Sequence, residues 1–402
     1  MMKYLLVNKF HYLKGGSERF YFNLTDILKR NGNEVVHFAM QDEKNLPDKN
    51  EEYFVENVSK NGGFANKIKF IKNLNYSKEA YKKIKELIKK EKPDVAILNL
   101  VHKQISLSII DALKEYDVKI LWVVHDLIMI CPSYTMLDGN GKICEKCIKG
   151  DFANCVKNKC IDGSTLKSLL SYREAKFIKK YKFYDYVDTF ICPSNFYKRK
   201  LEESKFTKAN IVYMPNPLPY DTNFCLNENP DNYVLYFGRL SKEKGVDDLI
   251  KACASKKMKL YIVGTGPYED YLKNLVSELN CQNQIKFFGY KTGEELKNII
   301  FNSKVVVLPS KWYENGPFSA IEAMAMGKPL IVSNLGGLPE LIADEENGYV
   351  YSDLNELQED LSKLFSLDKS SYLNKCKKSL EIAKYKYNPK EYYQNLIKLI
   401  NK

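Results

Sequence analysis

No apolar run in this chain approaches the roughly 18 residues that cross a bilayer as a helix. The first residues, MMKYLLVNKFHYLKGG, also lack a signal-peptide core, because one Lys precedes a five-residue run that reads as a buried strand. These two absences predict a protein made and kept in the cytoplasm. Internal repeats and low-complexity tracts are missing as well, so neither a solenoid nor a disordered array fits. The glycine turn after the first strand has no third glycine at fixed spacing and no acid about twenty residues on, which the dinucleotide fingerprint needs. A redox enzyme of the Rossmann type is therefore disfavoured.

What is present is apolar residue throughout: 45% of 402 residues are hydrophobic, enough for full-sized cores. At roughly 100 to 200 residues per domain, two domains are expected. The net charge of +12 suits an anionic partner: nucleic acid, a lipid surface or a phosphate-bearing small molecule. Much of that charge is Lys on helix faces, as in IKNLNYSKEAYKKIKELIKKEKPD, which reads as a solvated amphipathic helix. Ten cysteines in a reducing compartment point to metal binding before disulfides.

Short apolar runs alternate with helical patterns from the start: KYLLVN, EVVHFAM, DVAILNL, KILWVV and TFICPS. That is the rhythm of a parallel sheet with crossover helices. MPNPLPYDTNFCLNENPDN, with four prolines and no periodicity, reads as a linker. The alternation then restarts with YVLYFGRL, KLYIVGTG, QIKFFGY, KVVVLPS and KPLIVSN. The expectation is an α/β chain of two doubly wound Rossmann-like domains facing an interdomain cleft. Residues 1–213 form the first, 214–385 the second, and 386–402 a helix packing back on the first.

Two segments carry the strongest chemistry. In WYENGPFSAIEAMAMGKP, Glu314 lies in a loop after a strand and Glu322 eight positions on, within an apolar helix where an unpaired carboxylate is costly. Pro317, after Gly316, suits a first helical position, so first-turn amides can hold a phosphate. Paired carboxylates suit hydroxyl-rich ligands. In YFGRLSKEKGVDDLI, a strand ends in Gly238, Arg239, Lys244 and Gly245, aiming two cations at a developing negative charge.

In the first domain, KGGSERF places Gly15 and Gly16 where a ligand can approach the backbone. His125 and Asp126 follow KILWVV directly, where a histidine can position or deprotonate a hydroxyl. His102 is similarly placed after AILNL, whereas His11 and His37 read as structural. After His125 come Cys131 and then Cys144, Cys147, Cys155 and Cys160 within a 131–160 insertion. A C-x2-C pair followed by two more cysteines suits a small structural zinc site, with a redox pair, an iron–sulfur cluster or unligated thiols as competing readings. The Lys- and aromatic-rich segment STLKSLLSYREAKFIKKYKFYDYVD could lie on an anionic membrane with Leu169, Phe177 and Tyr181 inward, or pack as a core helix with a wet basic face.

Together GGSER, HD after a strand, PSNF, FGRLSKEKG, VGTGP, FFGY, ENGPFSAIEAMAMGKP and GGLPE resemble the retaining glycosyltransferases of family 4, with the GT-B fold, over nearly the whole chain. The resemblance implies that Glu314 contacts a donor sugar, Glu322 the nucleotide ribose, and Arg239 and Lys244 the diphosphate. It places Gly15, Gly16, Gly238, Gly264, Phe288, Gly316, Pro317, Phe318 and Ser319 on the donor side, and His125, His102 and Asp126 on the acceptor side. It further implies a UDP- or GDP-sugar donor, a glycan or polyprenyl-linked acceptor, and a cytoplasmic enzyme peripheral to the inner face of the membrane. No cofactor is implied for the chemistry, so any zinc is structural. The cysteine-rich loop resembles a subgroup insertion of surface-polysaccharide enzymes. PNP at Pro215 to Pro217 departs from the usual PNG. Alternatives are a sugar-nucleotide epimerase or hydrolase on the same fold and, from another class, a zinc-containing nucleic-acid-binding protein. The cations' place at strand ends argues against nucleic acid as a partner.

Overall fold

The computed structural model describes residues 1–58 and 64–401, with the side chains of 64–68 left aside. The chain divides into two compact units: Met1–Pro219 with the segment from Pro389 on, and Tyr220–Asn388. No helix or strand lies between residues 214 and 232.

The first unit is built on a six-stranded parallel sheet. Its strands are β1 (Lys3–Val7), β2 (Glu34–Phe38), β3 (Val95–Leu98), β4 (Lys119–Val123), β5 (Thr189–Cys192) and β6 (Asn210–Tyr213), in the order β2-β1-β3-β4-β5-β6. β3 and β5 are buried at every position, which is why they read as unbroken apolar runs rather than alternating ones. Leu5 pairs with Val36 on one side and Ala96 on the other. The helix Pro389–Ile400 belongs to this unit. Its Tyr392 ring packs 6.1 Å from Phe20, and its Tyr393 hydroxyl accepts from Asn33 Nδ2 at 2.9 Å.

The second unit repeats the plan with β7 (Tyr233–Phe237), β8 (Lys259–Val263), β9 (Ile285–Phe287), β10 (Val305–Leu308), β11 (Leu330–Ser333) and β12 (Gly348–Tyr351), in the order β12-β11-β10-β7-β8-β9. All its strand pairs are parallel, so the loops after β7 to β11 leave one sheet edge. The order reverses between β7 and β10, and ligands of open parallel sheets bind at the carboxyl ends of strands beside such a switch. In the first unit the switch lies between β1 and β3. β6 and β12 were not picked out by sequence pattern; β6 is a four-residue edge strand that is only half-buried.

Candidate functional site

In the second unit the loops after β7 and β10 are tied together at the switch. Lys311 N donates to Glu243 O at 2.7 Å, and Lys311 Nζ pairs with Asp247 at 2.8 Å and Asp248 at 2.9 Å. Gly245 makes the close approach possible. It sits at φ +66, and a Cβ there would lie 1.8 Å from the Pro309 carbonyl oxygen.

This junction brings Lys244 and Glu314 into contact. Lys244 Nζ and Ser310 Oγ both donate to Glu314 Oε1 at 2.6 Å. Glu314 is buried, and Lys244 lies 5.0 Å from the centroid of the Trp312 ring. Burial pushes the Glu314 carboxyl up, but the Lys244 charge and the hydrogen bonds from Lys244 and Ser310 outweigh it and hold its pKa below the ordinary value. Glu314 also bridges in parallel to Gly336, and Gly337 N donates to its carbonyl at 2.7 Å. Gly336 is at φ +66, with Glu314 N 2.4 Å from where a Cβ would stand.

Sequence reasoning assigned Glu314 and Lys244 separate partners, whereas the structure makes them partners of each other. It missed Ser310 and Trp312, whose only signal is their place between strand β10 and Glu314. Arg239 is exposed, and among the described residues no ion pair engages its guanidinium. Glu322 is half-buried in the helix Phe318–Ala325. Pro317 is not at the first helical position but caps the helix with ψ 137, so Phe318 and Ser319 open it and their N–H groups have no partner within it. Gly238, Gly264 and Phe288 stand at the ends of β7, β8 and β9. Gly238 N donates to Val263 O at 2.9 Å, and a Cβ on Gly264 would meet the Gly238 carbonyl oxygen at 1.9 Å.

In the first unit the switch carries a chain of polar side chains. His125 Nε2 donates to Asn99 Oδ1 at 2.8 Å, while Asn99 Nδ2 donates to Val7 O at 3.3 Å. Asn8 Oδ1 accepts from Leu100 N at 3.3 Å, and Asn8 Nδ2 lies 3.4 Å from Glu18 Oε1. Glu18 is buried in the first turn of the helix Gly16–Arg30, just after Gly15 and Gly16. Burial lowers the His125 pKa to about 3, so the ring is neutral near pH 7. With the proton on Nε2, Nδ1 is left as the acceptor. Asn99, Asn8 and Glu18 were not singled out, since an Asn after a strand also reads as a turn residue. Asp126 accepts from Ile128 N at 3.0 Å, and burial pushes its pKa up to about 6. His102 bonds the Tyr184 hydroxyl through Nε2 at 2.8 Å and packs 5.3 Å from Trp122, with its pKa lowered by burial to about 3.

The thiols expected to hold zinc share one neighbourhood: Cys131, Cys160 and Cys144 act electrostatically on Cys147, and Cys155 is hydrogen-bonded with Cys160. Zinc–sulfur bonds of about 2.3 Å in a tetrahedron hold the sulfurs roughly 3.8 Å apart, yet no three of these thiols gather within 4.8 Å of one another. Among the described residues the triad that does is His11, His37 and Asp48, already hydrogen-bonded through His37 Nδ1 to Asp48 at 2.8 Å. Cys147 and Cys155 are instead buried with Phe152, and Cys160, Tyr172 and Ala175 pack against them. Backbone bonds fold the insertion, including Cys144 N to Met136 O at 2.8 Å and Gly139 N to Asn158 O at 3.0 Å. The helix Thr165–Tyr181 buries Ser171, Glu174 and Ile178 and leaves Leu169 and Tyr181 exposed.

Comparison with known proteins agrees with this architecture. Sucrose-phosphate synthase from Thermosynechococcus elongatus superposes with a TM-score of 0.71 at 18% identity, covering 100% of this chain and 98% of that one. HepE of Anabaena, solved in complex with UDP and glucose, gives 0.69 at 16% identity with full coverage of both chains. The fold is the two-domain GT-B arrangement of Rossmann-like units. The family model described as Glycosyltransferase Family 4 matches residues 14–221, and that described as Glycosyl transferases group 1 matches residues 224–384. The chain belongs to glycosyltransferase family 4. Its curated relatives include an uncharacterized glycosyltransferase of Methanocaldococcus jannaschii, 35% identical over 36% of this chain and 41% of the relative. The amylovoran biosynthesis glycosyltransferase AmsK of Erwinia amylovora is 31% identical over 29% of this chain and 31% of its own. The match spans about 41% to 50% of the length of the first two curated relatives.

Proposed function

We propose that the protein transfers a sugar, with retention at the anomeric carbon, from a UDP- or GDP-sugar to a glycan or polyprenyl-linked acceptor in cell-surface polysaccharide synthesis. The observation that carries this reading is the buried Glu314 held by Lys244 and Ser310 at the switch of the second sheet, with the exposed Arg239 in the loop after β7. An ionised, fixed carboxylate accepts from sugar hydroxyls. Arg239 and the amides of Phe318 and Ser319 offer positive charge to a leaving diphosphate, and Lys244 can share its ammonium between Glu314 and a phosphate oxygen. Glu322 then reads as the ribose ligand. Such a set supports departure of the nucleotide without a divalent ion. On the acceptor side, neutral His125, fixed by Asn99, presents Nδ1 to a hydroxyl.

A thermal-shift screen of UDP-, GDP- and ADP-sugars tests the donor. Ligand at about 100 times its dissociation constant adds about 2.7 kcal/mol of stability, so one sugar nucleotide should stand out. Arg239→Ala and Glu322→Gln should fold normally and lose that shift; a shift kept in both would sink the assignment. Support for a membrane-surface acceptor comes from the +12 charge and the exposed Leu166, Leu169 and Tyr181 on a Lys-rich helix. Flotation with anionic liposomes checks it, and protein left at the bottom of the gradient removes it. Among the described residues no helix is long and apolar enough to cross a membrane.

A further inference from the structure

A cavity of about 140 Å³ lies within the first unit, between the cysteine-rich insertion, the helix Thr165–Tyr181 and the end of the helix Asn195–Ser204. Its lining is mixed: Ile148, Phe152, Ile178 and Phe206 are apolar, while His102, Ser171, Glu174 and Tyr184 are polar. Glu174 is 4% exposed. One of its oxygens accepts from Lys103 N at 3.2 Å, and the other has no protein partner among the described residues. That second oxygen is not sealed from solvent, so it can exchange a water for a ligand hydroxyl. At the mouth stand the exposed Lys149, Lys179 and Lys205, and Lys149 and Lys205 join no ion pair among the described residues.

We propose that this cavity binds one pyranose ring carrying an anionic substituent, as in an acidic glycan, with ring hydroxyls on Glu174 and Ser171 and the anion at Lys149 and Lys179. Three features select that chemistry. A cavity of about 140 Å³ seats one ring only with its substituents reaching out to the lysines at the mouth, whereas sites for whole nucleotides or drug-sized ligands run to roughly 300–1,000 Å³. A sugar has apolar C–H faces for Phe152 and Phe206 and hydroxyls for the polar floor. An acyl chain would leave Glu174 unsatisfied, and a phosphate seated at the floor would face a carboxylate. Burial pushes the Glu174 pKa up to about 7, so the group can both donate to and accept from a sugar hydroxyl. That such a ring is part of an acceptor rests on the transferase reading; the binding itself does not.

The test is ligand-observed saturation-transfer NMR on the full chain with saturating UDP, which keeps the nucleotide site occupied. The probes are sodium D-glucuronate and methyl α-D-glucopyranoside. Both should show transfer to their ring protons, glucuronate binding about two- to fivefold more tightly, the size of an exposed charge interaction. Lys149→Ala with Lys179→Ala should erase that preference. Ala175→Trp, which fills the cavity, and Glu174→Leu, which removes its polar floor, should each abolish transfer to both probes. Absence of transfer in the wild type, or undiminished transfer in either folded variant, overturns the proposal. A nucleotide-sugar thermal shift with no sugar binding here would leave the transferase reading standing and dismiss this site alone.

Discussion

Lys244→Ala should destabilise the second unit far more than Glu314→Gln does. The Glu314 side chain is 8% exposed and that of Lys244 21%, at 2.6 Å. Removing the cation leaves a buried carboxylate with only Ser310 to hold it, a loss of about 3 to 5 kcal/mol for breaking a buried pair. Glu314→Gln removes the charge but keeps an acceptor for Ser310, and Lys244 can turn to water, so about 1 to 3 kcal/mol is expected. The double variant should resemble Glu314→Gln alone, so the magnitude of the coupling energy equals the whole cost of Lys244→Ala, about 3 to 5 kcal/mol, at or above the top of the range of about 0.5 to 3 kcal/mol seen for contacting residues.

The pH dependence has a definite sign. In the wild type the folded pKa of Glu314 lies below its ordinary value of 4.5, so the pair's stabilisation is full above pH 4.5 and is lost as pH falls through the folded value. In Lys244→Ala burial dominates and raises that pKa, so protonation relieves the strain. The gap between the two proteins should therefore be widest at pH 7 and narrow toward pH 4. Guanidinium unfolding followed by Trp312 fluorescence in a Trp122→Phe background reads the second unit, since these are the chain's two tryptophans. A cost under 1 kcal/mol at pH 7, or a gap that does not close on acidification, would refute the reasoning. Transfer by Lys244→Ala should be assayed well below its unfolding temperature, because a domain's whole stability is only about 5 to 15 kcal/mol.

Two further outcomes follow. Gly245→Ala forces a Cβ against the Pro309 carbonyl at φ +66; it should cost at least about 1 to 3 kcal/mol and lower the Trp312-reported unfolding midpoint, and an unchanged midpoint would mean the two loops are not locked there. All four histidines lie in the first unit, where His11, His102 and His125 are lowered by burial to about 4, 3 and 3, while Asp126 and Glu174 are raised to about 6 and 7. From pH 6.5 to 4.5 the histidines lose stability and the two carboxyls gain it, leaving about one proton, or about 1.4 kcal/mol per pH unit, of net loss; the Trp122-reported midpoint should fall faster than the Trp312-reported one, and parallel movement would contradict the burial argument.

The alternation of fully buried strands with amphipathic helices was legible because an apolar run of four to six residues has few other uses, and ten of the twelve strands among the described residues stand where the pattern placed them. The residue types after the strands were legible too, since Gly238, Arg239, Lys244 and Glu314 in the loops and Glu322 in the following helix break the apolar pattern. Their pairing was not. Lys244 and Glu314 are separated by 70 positions, and only the reversal of strand order between β7 and β10 sets them side by side. The cysteine spacing likewise allowed a zinc site, but how closely the sulfurs converge is a property of the fold, which buries Cys147 and Cys155 with Phe152. Glu174 is the opposite case: within a Lys-rich helix it reads as one more surface charge, and tertiary packing turned it inward. Composition and periodicity thus settled two parallel-sheet units and picked out candidate residues, because those depend on neighbours a few positions away. Which charges neutralise one another, and which is left facing a cavity, was decided by contacts between elements far apart in the chain.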